Sequence, residues 1–397
     1  MSEPKKRVLI LDGMWNKTLA AVRSFGEKDF YVAVGETTRF STALFSRYAK
    51  RKIVYPSPCS KPVEFMEWLM DELEGSNYDM LLPTELSTQL LLAKNRKEIT
   101  KHTGFPFPDY TLVRKVHDKA WLMRYASSKG YPVPATCFTT EEDGGDGIGD
   151  VEGLMEALSF PVVIKPTNSS GSRGQEYVFN KEDFKEALLR VHDKYPYPII
   201  QEYIPSMPNG TGGYGVGALF NYNSEPRAAF VYRRLREYPV TGGPSTMREG
   251  VHDVKLKEMA LALLKELKWV GPAMVEFKMD PRDQTPKILE INPRLWGSLN
   301  LAILSGMDFP YLLWKLAVEG DVEPVMSYKA GLKCRWLIPG DILHLLTSRR
   351  LKTLRDVFKK SDGDDLLSLT DPMPVLGRCS SALTFVFDPD MRKLLFR

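Results

Sequence analysis

Two apolar runs, AMVEFKMD at 273–280 and KILEINP at 287–293, each carry a carboxylate where a buried strand would carry another hydrophobic side chain. The connector PRDQTP, 281–286, holds two prolines and charged residues, so the runs fold back on each other as a hairpin. Strand side chains alternate between faces. Glu290 and Asn292 therefore share one face while Leu289 and Ile291 point into the core, and Glu276 lies opposite Val275 and Phe277. Two carboxylates and an amide carbonyl then converge on one patch, oxygen ligands of the kind Mg²⁺ takes together with phosphates and water. Cross-strand polar pairs on a surface hairpin are the ordinary use of such residues, but the apolar flanks Ile288, Leu289 and Ile291 argue against exposure.

The chain opens on β–α alternation. RVLILDG (7–13), a helical stretch to Gly26, YVAVGE (31–36), KIVYP (52–56), a helix over 62–73 and DMLLPT (79–84) predict a parallel sheet with helices on its faces. Gly13-Met14-Trp15-Asn16 follows the first strand in place of G-x-G-x-x-G, which disfavours a dinucleotide site. A boundary falls near 104–111, where GFPFPDY carries two prolines and a glycine. Asp118 then caps a helix with the stripe Trp121, Leu122 and Tyr125, stopping at Gly130. From 160 the texture turns to strands, with helices at 181–193, 253–268, 297–305 and 309–319. The stretch EEDGGDGIGD, 141–150, reads as a solvated loop, and 325–397 carries no motif tied to chemistry.

Length and charge bound the function. At 397 residues and 43% apolar side chains the expectation is two or three domains. A balance of 54 Lys+Arg against 50 Asp+Glu excludes a dedicated nucleic-acid binder and a long acidic disordered chain. Cys59, Cys137, Cys334 and Cys379 are too dispersed for a disulfide framework or a zinc site. Val8 to Leu11 is too short for a signal-peptide core and no apolar run reaches membrane-span length, so a soluble, cytoplasmic protein is expected, with no membrane partner. The basic run SRRLKTLRDVFKK, 348–360, reads as a solvated helix face because DGDD follows at 362–365.

Two further features bear on chemistry. Lys165 ends the strand FPVVIKP and is followed by TNSSGSRG, 167–174, whose small residues let backbone N–H groups approach phosphate oxygens. Arg233, Arg234, Arg236 and Arg248 surround a Gly-Gly-Pro-Ser-Thr turn, and bidentate guanidinium groups suit an anion. The expectation is that Arg248, with Arg233 or Arg236, grips an anionic substrate or a γ-phosphate; a charged strand face in solvent is the competing reading.

Taken in order, the D-K pair at 118–119, strand-Lys165, the small-residue loop, QEYI at 201–204, EFK and EINPR resemble the ATP-grasp superfamily, nearest its carboxylate–amine ligase and carbamoyl-phosphate-synthase-like branch. The likeness spans about 110–320. It implies an α/β protein: a Rossmann-like domain over 1–108, then two lobes, α+β in character, over 109–200 and 201–325, with nucleotide between two antiparallel sheets. Residues 326–397 remain an extension of unknown role. By the resemblance Lys119 and Lys165 contact ATP phosphates, and the 168–174 loop, with Ser170, Gly171 and Gly174, forms a lid. Gln201, Glu202, Tyr203 and Ile204 form the adenine hinge, Glu276, Glu290 and Asn292 bind Mg²⁺ or Mn²⁺, and Arg294 steadies the transferred phosphoryl group. The acidic residue expected soon after the hinge is missing from SMPNGTGGYG, 206–215, which leaves Asn209 or another way of holding the ribose.

The implied activity is phosphorylation of a carboxylate by ATP, attack of an amine on the acyl phosphate, and release of ADP and phosphate. Small-molecule carboxylate and amine partners follow, and a homodimer is compatible with it. A carboxylase or carbamate-phosphorylating enzyme, and a non-catalytic nucleotide-binding regulatory protein, are the alternatives.

Overall fold

The computed structural model describes residues 6–139, 151–169, 173–207, 210–239, 242–348 and 361–387. The acidic glycine-rich loop, Ser170, Gly171, Asn209 and all but the first residue of the basic 348–360 run lie outside these. The first unit is a parallel sheet of β1 (Arg7–Ile10), β2 (Tyr31–Glu36), β3 (Ala49–Val54) and β4 (Met80–Leu82) in the order β3-β2-β1-β4. Val8, Leu9 and Ile10 are all buried, as a strand covered on both faces requires. The Asn16–Glu27 helix follows β1 and buries Leu19, Val22 and Phe25.

The second sheet holds β5 (Thr136–Phe138), β6 (Val162–Lys165), β7 (Glu176–Val178) and β8 (Ile199–Glu202), antiparallel in the order β5-β8-β6-β7. The Phe184–Lys194 helix covers it, placing Phe184, Leu188 and Val191 in one cluster with Val162, Ile164 and Ile200.

The third sheet has seven strands: β9 (Gly213–Phe220), β10 (Pro226–Glu237), β11 (Ser245–Gly250), β12 (Gly271–Met279), β13 (Pro286–Asn292), β14 (Lys333–Arg335) and β15 (Gly363–Asp364). Their order is β13-β12-β9-β10-β11-β14-β15, antiparallel except for the last pair. The period of two sorts the side chains. Val216, Ala218, Val231 and Val275 pack with the Val254–Glu266 helix on one face, while Leu219, Phe230 and Tyr232 join a core that runs through the Leu299–Leu304 and Phe309–Glu319 helices into the first unit.

Two domain expectations differ from this arrangement. The Tyr110–His117 and Lys119–Ser128 helices, expected in the smaller lobe, bury Val116, Leu122, Met123 and Ala126 in the core of the large sheet. The segment after 326 is no appendage either: it supplies β14 and β15, and its Pro374–Phe387 helix packs against the first unit near Phe45. Among the described residues no helix is long and apolar enough to cross a membrane.

Candidate active site

The β12–β13 hairpin forms as expected, and its register pairs Glu276 with Glu290 and Met274 with Asn292. A bulge intervenes, because Phe277 pairs with Ile288 and leaves Leu289 as the extra residue. The bulge corrects one expectation. Ile288 and Ile291 are buried in the core, but Leu289 is turned to the cleft beside Glu290. Asn292 Nδ2 donates to Glu290 Oε1 at 2.9 Å and to Glu276 Oε1 at 3.3 Å, so the three side chains do meet. Arg234 donates to Glu276, and Lys119 Nζ lies 3.5 Å from Glu290 Oε2. Among the described residues no three His, Cys, Asp or Glu side chains group as a metal site; this patch is two carboxylates and an amide.

Electrostatics splits the two carboxyls. Burial pushes Glu276 up to about 7 against the pull of Arg234, with the Glu290 charge adding to the rise. Burial also acts on Glu290, but Lys119, the Asn292 amide and Arg234 together hold it below the usual carboxylate range. Lys119 is set at the first turn of its helix by Asp118, whose carboxylate accepts from the Ala120 and Trp121 N–H groups, and its ammonium donates to the Ser169 carbonyl.

The facing sheet supplies the opposite wall. Lys165 Nζ donates to Gln201 Oε1 at 2.7 Å, and burial, followed by the nearby Lys119 charge, brings its pKa down to about 8. Gln201 is buried and its amide also donates to Thr136 Oγ1 at 3.0 Å. Glu202 spends its carboxylate on Lys287, Arg282 and the Ala135 N–H, and the Tyr203 N–H donates to the Pro161 carbonyl. Glu202, Tyr203 and Ile204 line the cleft. Gly174 has φ +71°, and a Cβ there would fall 2.4 Å from the Tyr195 ring.

Between these walls lies a cleft of about 390 Å³. Its far end is built by residues that the sequence reading missed: Trp15, Asn16 and Lys17 after β1, Glu85 after β4, and Trp336, Asp365 and Arg378 from the tail. Asp12, at φ +65°, shapes the first of these loops by accepting from the Thr84 and Glu85 N–H groups and from Thr88 Oγ1. Lys17 pairs with Glu85, and burial with the Arg294 charge lowers it to about 8. A signal for Lys17 existed, since ligands of open α/β sheets gather at strand carboxyl ends. None existed for Arg378. Arg294 also lines this end, its guanidinium donating to the Leu295 carbonyl at 3.0 Å.

The arginine cluster is arranged differently from the expectation. Arg248 is buried and ion-paired to Asp365, also donating to the Ser245 carbonyl. Arg233 pairs with Glu249 and Arg236 with Asp341, both off the cleft lining, whereas Arg234 is the one that faces Glu276.

A family model described as "ATP-grasp in the biosynthetic pathway with Ter operon" matches residues 225–338, the span holding Arg234, Glu276, Glu290, Asn292 and Arg294. D-aspartate ligase of Enterococcus faecium is 24% identical over 233 residues, 55% of this chain and 53% of that one. The large chain of carbamoyl phosphate synthase from Pyrococcus furiosus is 19% identical over 275 residues, 66% of this chain and 25% of that one. The chain thus spans about half the length of the first relative and a quarter of the second. Among solved structures, a biotin carboxylase–β,γ-ATP complex from Campylobacter jejuni superposes with a TM-score of 0.65 at 18% identity, covering 83% of this chain and 74% of that one.

Proposed function

We propose that this chain, an ATP-grasp protein, is an ADP-forming ligase that activates a carboxylate with ATP and passes the acyl group to an amine. One observation carries the reading: Glu276, Glu290 and Asn292 gather on one cleft wall beside Lys119, with Lys165 on the wall across from them. The donor set fits a hard divalent ion, because it offers carboxylate and amide oxygens in a half-buried patch with cations beside it. Glu276, Glu290 and Asn292 would hold Mg²⁺, or Mn²⁺, which when bound neutralises phosphate charge.

The chain's own residues do the rest. Lys119 and Lys165 hold the phosphates. Glu202, Tyr203 and Ile204 flank the base, with Val163 and Leu289 supplying apolar surface, while the buried Gln201 holds Lys165 from behind. A substrate carboxylate oxygen attacks the γ-phosphorus as the bond to the β-phosphate oxygen breaks, and ADP leaves. The amine nitrogen then bonds to the acyl carbon, phosphate departs, and the nitrogen loses a proton. Arg294 steadies the charge that builds on the transferred group, so positioning and charge neutralisation supply the catalysis. The partial match to D-aspartate ligase supports an amino acid as the carboxylate substrate.

A phosphate-release screen with Mg·ATP against amino acids, organic acids and amines tests this. ADP and phosphate should form only when acid and amine are both present, and Glu290→Ala should abolish turnover. Bicarbonate-dependent turnover without an added acid would replace the reading with a carboxylase or carbamate kinase, and nucleotide binding without turnover would replace it with a regulatory protein.

A further inference from the structure

We infer that Arg378, brought to the far end of the cleft by the Pro374–Phe387 helix, is a specificity-determining residue that holds a second anionic group, carboxylate or phosphate, on the acid substrate. The inference rests on the ligase reading, which gives Arg294 the reacting end of the substrate and leaves Arg378 without a task in the transfer. Four cations lining this cleft are matched by carboxylates, Lys17 by Glu85, Lys119 by Glu290, Arg234 by Glu276 and Arg248 by Asp365. Lys165, Lys278 and Arg294 spend N–H groups on neutral oxygens of Gln201, Thr211 and Leu295, and Arg173 has no carboxylate partner among the described residues. Arg378 has no carboxylate partner among the described residues, and its one hydrogen bond there is neutral, from Nη2 to Asn16 Oδ1 at 2.6 Å.

A guanidinium is a costly way to reach an amide oxygen, because desolvating its charge against a neutral acceptor goes uncompensated. Burial accordingly pulls the Arg378 pKa below the ordinary arginine value. The surroundings lack acceptors as well. Six buried N–H groups on cleft residues have no partner among the described residues: Nε of Arg173, Arg234, Arg248 and Arg378, and Nε1 of Trp296 and Trp336. All six can only donate, so the complementary ligand is rich in acceptor oxygens and negatively charged. Arg248, Trp336 and Arg378 belong to β11 and the tail, which puts half of the surplus at the end of the cleft away from the hinge strand β8.

The test compares acids that differ only in the second anion. D- and L-aspartate are set against D- and L-asparagine, and D- and L-O-phosphoserine against D- and L-serine. Hydroxylamine serves as the amine, phosphate release reads turnover, and calorimetry in Mg·ADP reads binding. Wild type should prefer one anionic acid over its neutral counterpart by roughly 10- to 100-fold. Arg378→Gln keeps an N–H donor for Asn16 and removes the uncompensated buried charge, so it should erase that preference through KM at unchanged kcat, with a melting temperature no lower than that of wild type. Arg378→Lys should restore part of it. The aspartate and phosphoserine arms decide which anion is read. An Arg378→Gln enzyme that still discriminates, or a wild type with no anion preference in either assay, overturns the inference. Turnover without anion preference sinks this inference alone; anion-selective binding erased by Arg378→Gln, with no turnover on any acid, sinks the ligase reading alone.

Discussion

Glu276 and Glu290 are direct partners in the β12–β13 register, so two carboxylates stand opposite each other where like charges repel. Arg234 and Lys119 offset the repulsion from outside the pair. A divalent ion between them would remove it. Mg·ADP at about 100 times its Kd should therefore stabilise the protein by about 2.7 kcal/mol against unfolding. In Glu290→Gln the Mg²⁺-dependent part of that gain should vanish while ADP alone still binds through the lysines. Thermal melts with ADP, with and without Mg²⁺, check both statements.

On the proposed reading Lys165 should set an alkaline limit on nucleotide affinity. Burial lowers its pKa to about 8, so the ammonium is nearly fully charged at about pH 7, half charged near pH 8 and lost as the pH rises further. KM for ATP should be flat up to about pH 7, climb through pH 8 and then rise at most about tenfold per pH unit. Lys165→Arg, charged throughout, should keep KM flat to pH 10. Initial rates across pH 6.5–10 measure this.

The buried pair Arg248–Asp365 ties β11 to the tail, with neither side chain exposed to more than a trace of solvent. Asp365→Ala strands a buried guanidinium and should cost about 3–5 kcal/mol in urea unfolding. Replacing both partners, Arg248→Met with Asp365→Leu, should recover most of that loss. A double mutant as unstable as Asp365→Ala would show that the pair itself, rather than the orphaned charge, carries the energy.

Trp296 packs against Gly217 of β9, where a Cβ would sit 2.1 Å from the indole ring. Gly217→Ala must displace the indole, which also lines the cleft, and overpacking of this kind costs about 1–3 kcal/mol. KM for the acid substrate should rise with it. Adding Trp296→Phe should return part of the stability, and urea titrations of the two variants settle the comparison.

The parallel sheet, the hairpin and the large sheet's alternation were legible because their burial is periodic: Val8 to Ile10 is a solid apolar run, and β9 and β10 alternate between two cores. Asp118 was legible for the same local reason, since capping needs only neighbours in sequence. The Leu289 bulge was not, because one extra residue reverses the face of a side chain without changing composition. The partner of Arg248 was beyond reach too. Asp365 reads as part of an acidic surface run until the tail is seen laid against β11, 117 residues away in sequence. Arg378 has no local pattern at all, for what places it is the contact of its helix with the first unit.

The Asn16–Arg378 hydrogen bond closes a chain loop of 362 residues around the cleft. Holding together chain segments so far apart carries a large loop-closure entropy. On the proposed roles, choice of cosubstrate therefore hangs on a contact between the two ends of the polypeptide, whereas capture of nucleotide needs only the hinge strand and the hairpin.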